Sequence, residues 1–248
     1  MLKPIVAGNW KMNKTPQEGK SFIDDVVGSL PTINNVNIIF CPPFTGLNNI
    51  DISPPYHLGA QNCFYKDEGA YTGEISIEML LECNVEYVII GHSERRHIFH
   101  ENNELIDKKM SRVNNSGMKP VLCIGETLDE MNNGKTNDII EEQIIKGLTN
   151  VKSIDNIIIA YEPVWAIGTG LTATAEKIDE MHSFIRKMLS SLYTSNNSNK
   201  IPILYGGSVN SDNANELISI DGVNGFLIGG ASLDVIKFTD VVKIVNEQ

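Results

Sequence analysis

The sequence predicts an α/β protein folded as a closed (β/α)8 barrel, and three observations predict it. Eight short apolar runs, most of them rich in β-branched residues and too short for helices, recur along the 248 residues. Their starts lie about 31 residues apart on average, the length of a strand plus a crossover helix. Most of the intervening segments carry helical periodicity or caps, which calls for a parallel sheet, and eight strands at this length favour closure over an open sheet. No Gly-x-Gly-x-x-Gly follows the first run, so an open dinucleotide-binding sheet is the poorer reading. Residues 1–248 are expected to form one domain.

Taken in order, the first strand covers residues 5–8. Thr15-Pro16-Gln17-Glu18 then sets Thr at N-cap, Pro at N1 and Glu at N3, so a helix starts there and runs toward Gly28. Strands at 36–41 and 58–60 follow, and the crossovers after both are short, with less definite helices. Residues 61–76 form a long loop containing Phe64, Tyr65 and Tyr71, aromatics suited to an interface. The strand at 87–90 leads to His92 and a helix start at Ser93-Glu94-Arg95-Arg96. A helix over 103–116 ends at Gly117, a C′ glycine. The strand at 121–124, a helix over 136–148 and the strand at 157–160 come next. Thr174 caps a long helix to about Tyr193. The strand at 203–205, a helix over 211–219, the strand at 225–228 and a helix over 233–246 complete the eight units.

Thirty-one acidic against 20 basic residues give a net charge of −11. That excludes general nucleic-acid binding and adhesion to anionic membranes, while leaving room for one local anion pocket. The amino terminus has no apolar h-region, and no stretch approaches a membrane span in length. The four cysteines (Cys41, Cys63, Cys83 and Cys123) form no C-x-x-C pair, so the expectation is free thiols in a reducing cytoplasm rather than a zinc site or a disulfide framework.

Polar chemistry gathers where the strands end. Asn9 and Lys11 follow the first strand; His92, Ser93 and Glu94 the fourth; Glu126 the fifth; Glu162 the sixth; Gly206, Gly207 and Ser208 the seventh; Gly229 and Gly230 the eighth. In a parallel barrel all these ends lie on one face, where active sites form. The glycine pairs can turn backbone N–H groups toward a phosphate without a Cβ in the way, with the Ser208 hydroxyl beside them; two tight turns would need the same residues. Lys11 reads either as an inward cation or as a surface charge. His92 reads as an imidazole kept neutral by a helix start, or as a structural histidine. Arg95 and Arg96 read as structural ion pairs, and Glu94 as a brace for Lys11 or a helix-start acid. His92, His97 and His100 make a poor metal set, and no metal is expected. Glu162, at the end of a buried strand, is expensive there unless paired or used.

Asn9-Trp10-Lys11-Met12-Asn13, Gly91-His92-Ser93-Glu94-Arg95-Arg96, residues 160–170, Tyr205-Gly206-Gly207-Ser208 and residues 225–232 together resemble the signature segments of the triosephosphate isomerase family, in order and across nearly the whole chain. The resemblance implies a TIM barrel that interconverts glyceraldehyde 3-phosphate and dihydroxyacetone phosphate, in glycolysis and gluconeogenesis, without a cofactor. It implies Glu162 as the base, His92 and Lys11 as electrophiles, Asn9 as a holder of Lys11 and substrate, and Gly168, Ser208, Gly229 and Gly230 as the phosphate grip. Residues 163–170 would be a lid, with Pro163-Val164-Trp165 as its first hinge. It implies a homodimer through the 61–76 loop. Leu171 and Ala175 depart from the Lys and Pro common in the family; neither is expected to stop the lid from closing. Two rivals remain: another phosphate-binding barrel, such as a tryptophan-pathway isomerase or an aldolase, whose Schiff-base form needs a Lys on a central strand that no apolar run here contains; and an inactive barrel kept as a binding or scaffold protein, which the intact Asn9, Lys11, His92 and Glu162 set opposes.

Overall fold

The computed structural model of the chain describes residues 2–30, 32–48, 50–167, 172–193 and 198–248. Eight parallel strands close on themselves in sequence order. They are β1 (Ile5–Asn9), β2 (Asn37–Cys41), β3 (Tyr56–Ala60), β4 (Val85–Ile90), β5 (Lys119–Ile124), β6 (Ile158–Tyr161), β7 (Ile203–Tyr205) and β8 (Gly225–Ile228). The ring is completed where Ile5 to Gly8 pair with Gly225 to Ile228.

Alternation along the strands divides the core in two. Ile5, Ala7, Ile39, Cys41, Tyr87, Ile89, Val121, Cys123, Ile158, Ala160, Leu204 and Leu227 fill the barrel interior. Their immediate neighbours, such as Val6, Ile38, Val88, Leu122, Ile159 and Phe226, join the shell packed against the helices. Successive strand residues face opposite ways. Continuing the inward alternation to the end of each strand or one residue beyond therefore brings Asn9, Gln61, Gly125, Glu162, Gly206 and Gly229 to the mouth.

The helices are α1 (Pro16–Ser29), α2 (Ile77–Glu82), α3 (Ser93–His97), α4 (Asn103–Asn115), α5 (Leu128–Asn132), α6 (Thr136–Gly147), α7 (Ala175–Leu192), α8 (Ala214–Ile218) and α9 (Val235–Asn246) among the described residues. The Thr15 capping box is present: its side chain accepts from the Glu18 N–H, and Glu18 accepts from the Thr15 N–H at 2.8 Å. The crossover after β2 is a 3-10 turn, Phe44–Gly46, while that after β3 carries α2, capped by Ser76. The α5 helix was not expected, although Thr127 and Glu130 form a second capping box.

Two helices start late. The segment from 211 is held as a turn because Asn210 and Asn213 exchange side-chain bonds with each other's N–H, and α8 begins only at Ala214. Leu233 belongs to the 3-10 turn Gly230–Leu233, and Asp234 caps α9 by accepting from the Lys237 N–H at 2.9 Å. Ala175 keeps the start of α7 under the Thr174 cap, as expected of a residue that gives up only proline's preset φ. The observed β5 begins two residues before its apolar run and so takes in one lysine, Lys119. It opens the strand at the end remote from the mouth and donates to the Tyr87 hydroxyl at 3.1 Å, so it cannot serve a Schiff base in the cleft.

Candidate active site

The mouth holds a cleft of about 310 Å³ lined by Asn9, Lys11, His92, Glu162, Ser208, Gly229 and Gly230 among others. Of the residues singled out in the sequence, these seven converge together with Gly206 and Gly207; Gly168, Gly170 and Leu171 lie outside the described residues.

Glu162 is one residue past β6 and 2% exposed. Its carboxylate is paired on both sides: Oε2 accepts from the Ser93 N–H at 3.3 Å, and Oε1 lies 3.3 Å from His92 Nε2. Room for its side chain comes from Gly206, where a Cβ would stand 2.8 Å from Glu162 Cγ. His92 caps α3 by accepting from the Glu94 N–H at its Nδ1, 3.2 Å away. A ring nitrogen that accepts cannot carry the proton, so the neutral imidazole bears its hydrogen on Nε2, the atom that faces Glu162.

Lys11 sits at φ +52°, a left-handed conformation that costs a side-chain-bearing residue about 1 kcal/mol or more. Two bonds hold it there. The Lys11 N–H donates to Asn9 Oδ1 at 3.1 Å, and Gln61 Nε2 donates to the Lys11 carbonyl at 2.8 Å. Its ammonium reaches Glu94 Oε1 at 2.6 Å, which makes Glu94 the brace. Arg95 pairs with buried Glu101 at 2.6 Å, as an ion pair should. Arg96 departs from that expectation: it donates to the Gly91 carbonyl, Asn103 Oδ1 and the Cys123 carbonyl, and fixes the β4–α3 turn with no ion pair among the described residues. Burial pushes its guanidinium down to about 10, still charged at neutral pH.

The sequence marks Glu126 only as a strand-end carboxylate. It is fully buried and accepts from the Tyr161 hydroxyl at 3.2 Å and from Trp165 Nε1 at 2.8 Å, while its carbonyl accepts from the Val164 N–H at 3.0 Å. It therefore fixes the chain leaving Glu162. The Cys123 thiol lies below Glu162, and burial together with that carboxylate raises its pKa well above the usual range.

A carboxylate, a neutral imidazole donor and an ammonium in one cleft can together move a proton and stabilise the oxyanion that results. The family model of triosephosphate isomerase matches residues 4–245. The chain belongs to that family. It is 46% identical over 246 residues to a triosephosphate isomerase of Thermodesulfovibrio yellowstonii, covering 98% of this chain and 100% of the relative. It is 47% identical over 245 residues to the one of Aquifex aeolicus, covering 97% and 99%. A relative from Chlamydia trachomatis serovar D is 46% identical over 249 residues, covering 98% and 90%. In this triosephosphate isomerase family member the residues of the cleft come from the ends of β1 and β8 and the loops after β1, β4, β6, β7 and β8, and no helix among the described residues is long and apolar enough to cross a membrane.

Proposed function

We propose that this isomerase interconverts D-glyceraldehyde 3-phosphate and dihydroxyacetone phosphate by proton transfer through an enediolate, with Glu162 as the base. The carboxylate takes the proton from the carbon beside the carbonyl and returns it to the neighbouring carbon. Lys11 and the Nε2–H of His92 polarise the two oxygens and hold the negative charge of the enediolate. Asn9 orients Lys11 and the substrate. Ser208, Gly229 and Gly230, with Gly168 from the lid, hold the phosphate through N–H groups and a hydroxyl. One proton moves between carbons and one between oxygens with no net oxidation, so the reaction needs no cofactor. It serves glycolysis and gluconeogenesis.

The observation that carries this reading is the meeting of Glu162, His92 and Lys11 in one cleft of a chain from this family. A coupled assay with glyceraldehyde 3-phosphate tests it. Glu162→Gln is expected to cut turnover by a factor of about 10³ or more while the fold and phosphate binding survive. Turnover within tenfold of the unaltered chain removes Glu162 from the role of base.

The rest of the reading is of the same kind. The 61–76 loop joins two copies into a homodimer. The chain acts in the cytoplasm, in keeping with buried free Cys41, Cys63 and Cys123. Residues 1–248 are one folding unit, supported by a core cluster that runs from Val6 to Val245.

A further inference from the structure

Two walls of the cleft come from opposite ends of the chain. One is the end of β1 and the loop after it, with Asn9 and Lys11; the other is the turn after β8, where Gly230, Ala231 and Leu233 line the cleft. The second wall is tied internally, since Ser232 returns both its N–H, at 3.0 Å, and its hydroxyl, at 2.7 Å, to the Gly229 carbonyl. Ser232 packs close over Gly8 of β1, and Lys14 adds a polar tie to the first wall. The Lys14 ammonium donates to the Leu233 carbonyl at 3.0 Å. It also stands 4.3 Å over the Phe22 ring and 5.8 Å over that of Trp10. Those rings are core residues in edge contact with each other at 5.2 Å, so the cation rests on a rigid floor. Lys14 itself sits at φ +68°, in the left-handed region.

We propose that Lys14 is a positioning residue for the phosphate end of the cleft, setting the distance between the Lys11 wall and the glycine turn Gly229–Leu233. This rests on the phosphate reading of that turn given above. A charge-assisted bond to the carbonyl that ends the turn holds the whole turn, and with it the N–H groups at its Gly229 and Gly230 end. A substrate of fixed length gripped at both ends tolerates little change in that distance. A slackened turn weakens the grip on phosphate, while the atoms that move the proton stay where they are. The predicted signature is therefore a loss of binding with little loss of turnover.

Inorganic phosphate, as a competitive inhibitor in the isomerase assay, is the probe. Lys14→Met keeps the apolar stem and removes the donor and the charge. It is expected to raise both the phosphate inhibition constant and KM by about tenfold, with kcat changed less than about threefold. Lys14→Arg, which keeps a charged donor, is expected to stay within about twofold of the unaltered chain in all three. Should Lys14→Met fail to fold, Lys14→Gln takes its place, with a smaller rise in the same two constants. Unchanged phosphate inhibition in the folded Met or Gln variant overturns the proposal. So does a fall in kcat at constant KM, or an Arg variant no better than Met. If phosphate does not inhibit even the unaltered chain, the phosphate reading of the turn fails first, and this proposal falls with it.

Discussion

His182 takes no part in the cleft, yet its chemistry bears on the acid limit of the fold. It lies on α7, 1% exposed, with Nδ1 donating to the Gly222 carbonyl at 3.1 Å and the ring edge-on to Tyr161. Its Nε2 has no hydrogen-bond partner among the described residues. Burial, reinforced by the charge of Arg186, pushes the imidazole down to about 4. The folded value thus lies below the unfolded one of about 6.5. Above that pH the ring is neutral in both states and its contribution to stability is whole. Below it the unfolded chain takes up a proton that the folded chain refuses, and stability falls until the folded ring titrates near 4, by up to ~1.4 kcal/mol per pH unit. His182→Gln is expected to flatten that slope between pH 6.5 and 4 in urea unfolding curves. An equal slope in the variant assigns acid sensitivity to other groups. His92 shows the same side chain under opposite conditions: both ring nitrogens have partners, one an N–H and the other a carboxylate oxygen.

At the level of elements, the placing of Glu162 depends on how closely β5 and β6 approach at their ends. The Glu162 N–H donates to the Ile124 carbonyl at 2.7 Å, and Gly125 follows immediately. A Cβ on Gly125 would stand 1.7 Å from the Glu162 carbonyl oxygen and 2.6 Å from its carbon. The Gly125 backbone cannot swing aside, because Gln143 of α6 holds its N–H at 2.8 Å and its carbonyl at 3.1 Å. Gly125→Ala is therefore expected to cost about 3 kcal/mol or more, and to lower turnover through a displaced Glu162 even where the chain still folds. Thermal melting and the coupled assay check both parts; a variant with unaltered melting and turnover refutes the argument. Features of this kind mark the limit of what the sequence makes legible. Strand parity, the Thr15 box and the polar residues at the strand ends are local patterns, and the barrel and most of the cleft follow from them. The role of Glu126 does not, because its partners Tyr161 and Trp165 lie 35 and 39 residues away. The brace from Gln61 to Lys11 spans 50 residues, and only its inward parity after β3 hints at it. The late start of α8 depends on a side-chain exchange between two asparagines that helical periodicity does not register.

For the molecule as a whole, the distribution of apolar surface bears on the proposed dimer. Met12 is 95% exposed, Ile98 64% and Phe99 61%. Met12 and Phe99 border a second cleft of about 210 Å³, whose wall includes Lys11, His92, Glu94 and Arg95 from the active-site side. The 61–76 loop has a buried root and an exposed tip. Asn62 accepts from buried Lys109 at 2.9 Å, and Lys109 in turn pairs with Glu101 at 2.7 Å. Residues 66–74 stand exposed, with Phe64 packed against Tyr65 and Tyr71 at 4.5 and 4.7 Å between ring centroids. An anchored loop that carries an aromatic cluster outward, and an apolar rim beside Lys11, are complementary surfaces if a second copy docks one on the other. A contact there would also brace the loop that carries Lys11, so dimerisation and turnover should fall together. Tyr71→Asp puts a charge into that apolar contact, where leaving it unpaired is costly. Sedimentation at micromolar concentration is expected to show a shift toward monomer, with activity falling in proportion and recovering as the protein is concentrated. An undiminished and fully active dimer would show that the 61–76 loop is not the interface, and a fully active monomer that Lys11 needs no support from a partner.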